Sequence, residues 1–351
     1  MLLLSAARIA LNGTGSRQGA ARCGQSMSYV LSLLNRYGEA MEKLEEAKAT
    51  FEAIGDRKGA AECIQGMGEV LCIVNRYSEA MEKLEEAKTT FEAIGNRQGE
   101  AECIQQMGNQ MGNVLRCLDR YSEAMEMLEE AKAIFEAIGD QRSAAACIQR
   151  MGDLLRLLNR YNEAMEKLEE AKATFEGIGD RRGGAECTRQ IGDVLCMLNC
   201  PSEAMEKLEE AKAILEAIGN RYGAANCTLG MGHVLHAVNR YNEATEKLEE
   251  AKVAFQTLQS HHHVALCCRM LAEVSVAQHQ TAQAQSLLQQ SIDLYTSIGL
   301  TKEVDYCRAL LDRCQRGGLL AAIPDNEVQA PRGIGARARR LFRRLGGPPQ
   351  S

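Results

Sequence analysis

The chain has 351 residues, a formal net charge of −6 and a hydrophobic content of 45%. Aromatic residues make up only 4% and Pro occurs 5 times, so the composition favours helices and argues against a β fold. No run of about 18 to 20 apolar residues is present, which excludes an obvious transmembrane helix.

The N-terminal stretch MLLLSAARIALNGTG contains a short apolar run. Its nearest positive charge, Arg8, follows that run, which is the wrong order for a secretory signal. Residues 1–38 contain Arg but no acid, as organelle transit peptides do. These residues also fall in phase with the repeat that follows, which argues against a transit peptide. We expect residues 2–12 to form a lone helix, and we expect the protein to be cytoplasmic because its cysteine usage, described below, indicates a reducing compartment.

A repeat of 40 residues runs along most of the chain, with one step of 44. The tripeptide Asn-Arg-Tyr, or Asp-Arg-Tyr, ends at Tyr37, Tyr77, Tyr121, Tyr161 and Tyr241. Cysteines mark the same phase at Cys23, Cys63, Cys103, Cys147, Cys187, Cys227, Cys267 and Cys307. A fixed period of this length predicts stacked units that share a continuous core.

Each unit is predicted to be a pair of helices. In the second unit, apolar residues from Ala60 to Val74 step by three and four, which predicts a first helix. A second helix follows from Tyr77, and Gly95 ends it in left-handed geometry. The equivalent glycines are Gly55, Gly139, Gly179, Gly219 and Gly299. The sequence predicts seven such pairs, followed by a lone first-type helix over residues 301–315.

Small residues stand at fixed places in both helices. In the first helix they are Gly68, Gly112, Gly152, Gly192 and Gly232, and in the second they are Ala80, Ala87, Ala124, Ala131, Ala164 and Ala171. This pattern resembles the tetratricopeptide repeat, TPR. The period of 40 resembles the subclass found in kinesin light chains and in the repeat tails of NLR-like sensors. The resemblance implies an all-α fold, a right-handed α–α superhelix or TPR-type α-solenoid, over residues 1–315.

The step of 44 contains a duplication, in which Gln106-Met107-Gly108-Asn109 is followed by Gln110-Met111-Gly112-Asn113. Four extra residues rotate a helix by about 400°, so its apolar face is displaced by only about 40°. Either Met107 or Met111 can therefore fill the same buried position. Because a catalytic site rarely tolerates such a change, the duplication favours a scaffold over an enzyme.

The exposed face of the first helix varies between repeats, whereas the second helix hardly varies. In TPR proteins the first helices line a concave groove, so the resemblance implies a partner-binding surface there. The candidate contact residues are Arg116, Asp153, Arg156, Arg189, Asp193, His233 and His236. The alternative is neutral drift at solvated positions. The groove lacks the Lys that chaperone-tail clamps use, which argues against that class of ligand.

The in-phase cysteines are expected to be small buried residues without disulfides, since equivalent helices in a stack lie too far apart to be bridged. This usage predicts a reducing compartment. His261–His263 with Cys267 and Cys268 form a weak metal-like cluster, of which His263 and Cys267 share a helix face. No nucleophile and base stand together. We therefore expect no metal site, no cofactor and no enzymatic activity.

Residues 316–351 read as a basic, flexible tail. Arg337, Arg339, Arg340, Arg343 and Arg344 surround a short apolar stripe. Such a segment fits a basic amphipathic helix for an anionic membrane or an acidic partner, a segment lying on its own acidic array, or a solvated tail. The tail has no pattern of interleaved aromatic residues, so nothing in it indicates nucleic-acid binding.

The sequence thus predicts a protein–protein interaction scaffold that binds a peptide or a partner helix along the first-helix face. The alternative is the sensor or oligomerisation region of a larger NLR-like signalling ATPase. An enzyme is a third hypothesis, and it would require an activity that a single point substitution abolishes. The partner and the oligomeric state stay open.

Overall fold

A computed structural model describes residues 16–34, 36–74, 76–114 and 121–315. They form two compact units, the N-terminal unit, Met1–Asn220, and the C-terminal unit, Arg221–Ser351. The first contains the helices α1 Arg17–Leu33, α2 Tyr37–Ala53, α3 Arg57–Ile73, α4 Tyr77–Ala93, α5 Arg97–Val114, α6 Tyr121–Ala137, α7 Gln141–Leu157, α8 Tyr161–Gly177, α9 Arg181–Met197 and α10 Pro201–Ala217. The second contains α11 Arg221–Ala237, α12 Tyr241–Thr257, α13 His261–Ala277, α14 Thr281–Ser297 and α15 Thr301–Gln315.

The helices alternate between the two predicted types, and the described residues contain no strand. Within each unit, an odd-numbered first helix packs against the second helix of its own hairpin and against that of the preceding hairpin. The predicted all-α repeat fold, the seven hairpins and the lone final helix are confirmed. The helix expected over residues 2–12 lies outside the described residues.

The core repeats with the sequence. In α4 the residues Ala80, Leu84, Ala87 and Phe91 are all 0% exposed. Seven in-phase cysteines are buried, namely Cys63, Cys103, Cys147, Cys187, Cys227, Cys267 and Cys307. All cysteines in the described part of the chain are free thiols, as predicted. Cys23 departs from the prediction, because it lies in the first described helix and remains partly exposed.

Glycine in the first helix makes room for a leucine of the second. A Cβ built on Gly152 would lie 2.8 Å from Leu168 Cγ, which is closer than carbon atoms approach. The expected assignment of Gly112 to this position is wrong, because Gly108 occupies it opposite Leu128, with a built Cβ at 3.1 Å. The first copy of the duplication therefore continues the repeat, and Met107 from that copy is 2% exposed.

Apart from residues 115–120, the links between the helices are three residues long, and each link serves both neighbouring helices. At the end of α2, the Asp56 amide donates to Phe51 O at 2.9 Å and the Gly55 amide donates to Glu52 O at 3.1 Å. This is the Schellman arrangement. Gly55 has φ 75°, and the six predicted helix-ending glycines all have positive φ. Asp56 then caps α3, since its carboxylate accepts from the Gly59 amide at 2.9 Å.

The links after the first helices α7 and α11 contain the Asn-Arg-Tyr tripeptide instead. Asn159 takes the left-handed conformation at φ 58°, which Asn tolerates better than most residues. The Arg160 guanidinium binds the Glu163 carboxylate in the first turn of α8. The Tyr161 hydroxyl donates to Asn159 Oδ1 at 2.7 Å. Each residue of the tripeptide thus has a structural role.

Candidate functional site

The middle turns of the first helices are mostly buried, and a narrow stripe of partly exposed residues along each helix is available for contact. On α7 this stripe is Ala146, Gln149, Asp153 and Arg156, and on α9 it is Glu186, Arg189, Asp193 and Cys196. We call the stripes of α1, α3, α5, α7 and α9 together the first-helix face of the N-terminal unit. Four of the predicted contact residues, Asp153, Arg156, Arg189 and Asp193, lie on it.

Asp153 is joined to the neighbouring helix by a chain of amides. Its Oδ2 accepts from Gln190 Nε2 at 2.8 Å, and Gln190 Oε1 accepts from Gln149 Nε2 at 2.8 Å. Gln190 is only 4% exposed. These two hydrogen bonds fix the position of the Asp153 side chain between α7 and α9.

Three arginines surround Asp153. Burial raises the pKa of its carboxyl, and the positive charges of Arg156, Arg150 and Arg189 oppose that rise. Arg156 Nε lies 3.7 Å from Asp153 Oδ1, which is within ion-pair range but too long for a hydrogen bond. This Nε–H is buried and has no acceptor. A buried donor without an acceptor costs roughly 1–3 kcal/mol, which is recovered if the side chain turns toward a bound acceptor.

Arg189 is held by acids on its own helix. Its Nη1 binds Asp193 Oδ2 at 2.6 Å and its Nη2 binds Glu186 Oε1 at 2.6 Å, and its side chain is 17% exposed. Asp153, Arg156 and Arg189 therefore form one charged cluster. Arg116 lies outside the described residues.

A second link between first helices repeats this geometry between α3 and α5. Glu69 Oε1 accepts from Gln106 Nε2 at 2.6 Å. Burial raises the pKa of the Glu69 carboxyl, the Gln106 hydrogen bond lowers it, and the charge of Glu102 raises it further. Gln106 Oε1 and Asn109 Oδ1 nearby are buried acceptors without donors.

Our sequence interpretation missed the glutamines that make these links. Gln106 and Gln190 occupy the same position of the repeat, two residues before the packed glycine. That shared position was the available signal. It was overlooked because the partner of each glutamine belongs to the preceding repeat.

The predicted His233 and His236 lie in the C-terminal unit. Burial lowers the pKa of His236, the charge of Glu273 on α13 opposes that shift, and His233 adds to it. Glu273 also binds Arg269 at 2.5 Å, and the Arg269 guanidinium lies 5.4 Å from the ring centroid of Tyr306. This unit thus has its own polar first-helix stripe.

The metal-like cluster divides into separate environments. Cys267 is 0% exposed within the core, whereas His263 stacks on Phe255 with centroids 4.6 Å apart. Within the described ranges, no group of three or more His, Cys, Asp or Glu side chains is placed to hold a metal ion. No described helix is long and apolar enough to cross a bilayer. The five arginines of the basic tail lie beyond residue 315, outside the described part.

Comparison with known proteins places the fold. Residues 103–177 match the sequence profile of the tetratricopeptide repeat. No curated protein matches the chain. A Rap protein in complex with competence and sporulation factor is 13% identical, with a TM-score of 0.58 over 86% of this chain and 76% of that one.

Two further solved structures are similar. The Rap conjugation gene regulator of plasmid pLS20, in complex with a Phr peptide, is 12% identical with a TM-score of 0.63, covering 84% of this chain and 79% of that one. A signal transduction ATPase of the STAND class with a tetratricopeptide repeat sensor, from Pyrococcus horikoshii, is 14% identical. Its TM-score is 0.55, over 88% of this chain and 47% of that one. At such identities the likeness shows the fold alone.

The profile match begins within α5 and continues to the end of α8, and the same hairpin recurs on both sides of it. The second helices α4 and α8 bury the same Ala, Leu, Ala and Phe positions. Residues 103–177 therefore resemble the tetratricopeptide repeat in sequence, and the described hairpins on both sides of them repeat the same fold.

Proposed function

We propose that this protein is a non-enzymatic interaction scaffold that binds an extended peptide or a partner helix along the first-helix face of the N-terminal unit. The buried Nε–H of Arg156, which lacks an acceptor in the middle of the predicted contact residues, carries this proposal. A rotation of the Arg156 side chain, which is 32% exposed, would bring its guanidinium to a carboxylate or carbonyl oxygen of a ligand, and that oxygen would also compensate the charge of Arg150. The partner is therefore expected to present an acidic side chain at α7.

The distribution of variable residues supports the same face. The outer surface of the second helices repeats nearly the same sequence, as in YGEAMEKLEEAKATFEA of α2 and YNEAMEKLEEAKATFEG of α8. The first helices differ on their exposed stripe, where the position of Glu69 in α3 holds Asp193 in α9. Differences confined to one face are typical of surfaces that contact a non-repeating ligand.

Charge reversal tests the proposal. We expect Arg156→Glu with Arg189→Glu to remove a partner that the unaltered chain captures, because both positive charges of the cluster are lost. The matched control is Lys83→Glu on the second helix α4, which leaves the first-helix face intact. The measurement is affinity capture with mass spectrometry, paired with circular dichroism. Equal capture by both variants with helicity preserved would contradict the proposal.

A second candidate function is the sensor or oligomerisation region of a larger signalling ATPase. It rests on the Pyrococcus horikoshii structure, whose overall length is about twice what this chain matches. Sequencing the transcript upstream of Met1 tests it, because this function requires a nucleotide-binding domain in the same protein. An upstream stop codon in frame would exclude that arrangement.

The basic tail is proposed as an additional contact for anionic surfaces, and the buried free thiols support a reducing, cytoplasmic location. Co-sedimentation with phosphatidylserine vesicles tests the tail. We expect binding that Arg340→Gln with Arg343→Gln weakens and that added salt abolishes. Binding that persists in a chain ending at residue 315 would exclude the tail as its cause.

A further inference from the structure

All 6 histidines of the chain lie between residues 233 and 279, within the C-terminal unit. The N-terminal unit contains none. Histidine is the side chain whose ordinary pKa makes it change charge between pH 5 and 8. The two units therefore differ in the chemistry that mild acid can act on.

Three of these histidines begin α13, where other repeats have a different sequence. The position of His263 is glycine at Gly59 and Gly183, and a Cβ there would lie 2.5 Å and 2.4 Å from the Phe ring beneath it. In α13 the His263 ring covers Phe255 instead, with centroids 4.6 Å apart and planes at 30°. Phe255 remains 0% exposed. In this repeat an ionisable ring therefore packs over a core phenylalanine.

The surroundings of the His262 and His263 rings come from four other helices. His263 Nε2 lies 3.1 Å from the Tyr222 hydroxyl on α11, and Nδ1 lies 3.0 Å from Ser260 Oγ. His262 Nδ1 is 3.4 Å from His263 Nδ1, and the two ring centroids are 4.7 Å apart. The titratable groups that face His262 from other helices are Tyr295 of α14, 5.9 Å between centroids, and Glu303 of α15.

Positive charge is disfavoured at this place for two reasons. The rings sit in the first turn of α13, at the positive end of the helix dipole. The other reason is the cap: Asp56, Asp140 and Asp180 cap their helices with a carboxylate, but Ser260 makes no side-chain bond to the α13 backbone. Burial lowers the pKa of His262, and only the charge of Glu303 opposes the shift.

We infer that the start of α13 is an acid-sensitive junction. Protonation of the adjacent rings of His262 and His263 separates them from each other and from Phe255, which loosens α13 against α11, α12 and α14. The helices of the C-terminal unit then pack less tightly under mildly acidic conditions, whereas those of the N-terminal unit stay packed. Any partner that binds the C-terminal unit would be released by acid.

The direction of the effect follows from proton binding. A histidine whose folded-state pKa lies below 6.5 stabilises the fold fully above pH 6.5, and that contribution is lost as pH falls through 6.5 toward the folded value. His236, whose pKa burial also lowers, acts in the same direction. In the N-terminal unit, Glu69 and Asp153 have raised pKa values, so mild acid relieves rather than destabilises them.

Hydrogen exchange measured by mass spectrometry on the full chain, between pH 7.5 and 5.5, tests the inference. After correction for intrinsic exchange rates, we expect protection in α13 and α14 to fall by about tenfold or more. A tenfold fall for each pH unit corresponds to the uptake of about one proton on unfolding. Protection in α8 and α9 should stay level. A parallel change in both units would overturn the inference.

Two variants separate the junction from a general effect of acid. His262→Gln with His263→Ser restores residue types found at Gln98 and Ser143 and should abolish most of the pH dependence. The control His279→Asn introduces the residue found at the equivalent position of the preceding repeat, Asn239, and should leave the pH dependence unchanged. Histidine proton NMR on the unaltered chain needs no variant: a titration midpoint at or above 6.5 for His262 would refute the junction.

Discussion

At the scale of single residues, this array depends on a few positions where only one side chain fits. Gly152 is such a position, because Leu168 occupies the space of its missing side chain. Gly177 has ample space and ordinary helical geometry, and the equivalent position elsewhere is Ala, as in Ala137 and Ala217. The same substitution at the two glycines should therefore have opposite effects.

We expect Gly152→Ala to lower the free energy of unfolding by about 1–3 kcal/mol, because Leu168 must move out of its packed rotamer. Gly177→Ala should raise it by up to about 1 kcal/mol, since alanine loses less backbone entropy in a helix. Urea unfolding followed by circular dichroism measures both. Equal effects of the two changes would show that the Leu168 contact is unimportant.

The in-phase thiols give a second prediction at this scale. Burial raises the pKa of Cys63, Cys103, Cys147, Cys187 and Cys267 to about 12, so almost no reactive thiolate is present at pH 8. Iodoacetamide on the folded chain should spare them and label the partly exposed Cys23 and Cys200. Peptide mass spectrometry provides the readout, with full labelling in urea as the control. Rapid labelling of Cys147 under native conditions would show that its helix opens.

At the scale of helices, each link ends one helix and begins the next. Asp56 does both, as the last residue of a Schellman motif and as the cap of α3. The hydrogen bond from the Gly59 amide has the largest effect and lowers the pKa of the Asp56 carboxyl. Burial opposes this shift, and the hydrogen bond from Gln18 lowers the pKa further. The stabilisation is therefore present above about pH 4 and is lost as pH falls through the lowered folded-state value.

We expect Asp56→Ala to destabilise the chain by about 1 kcal/mol, the usual value of a lost cap. Asp56→Asn should cost less at pH 7, because Asn96 already caps α5 with its amide, 3.3 Å from the Gly99 nitrogen. The asparagine variant should also lose part of the acid dependence between pH 4.5 and 3. Urea titrations at three pH values distinguish the variants, and identical losses for both would argue against a cap.

The helices and their glycine ends were predictable, because each repeat by itself shows the apolar period of its helices and the glycine of its left-handed turn. Which copy of the duplicated segment fills the core was not, since Met107 and Met111 lie on nearly the same helix face. The links between repeats were missed for a related reason. The Gln190 to Asp153 bond depends on the rotamers of two side chains 37 residues apart, which no single repeat encodes.

At the scale of the whole molecule, each hairpin of the N-terminal unit contacts mainly its neighbours. Stability should therefore be a sum over repeats and their interfaces. Removal of one full repeat leaves every remaining interface of the same kind. Removal of half a repeat places two second helices side by side, which the sequence does not provide for.

We expect deletion of residues 141–180, which joins Asp140 to Arg181, to give a folded chain with unchanged helicity per residue and a lower urea midpoint. Deletion of residues 141–160, half a repeat, should give an aggregating or partly unfolded chain. Circular dichroism and gel filtration compare the two. If both deletions behave alike, the hairpin is not the unit of stability. The first deletion also removes Asp153 and Arg156 and so should abolish partner capture.

Contact restricted to neighbours also has a mechanical consequence. Among the described helices of the N-terminal unit, the contacts join neighbouring hairpins, so under a pulling force the hairpins should detach one after another from an end. Each would release 40 residues, or about 140 Å of extended chain. Such a protein yields gradually under tension and recoils when the load is removed, as a spring does.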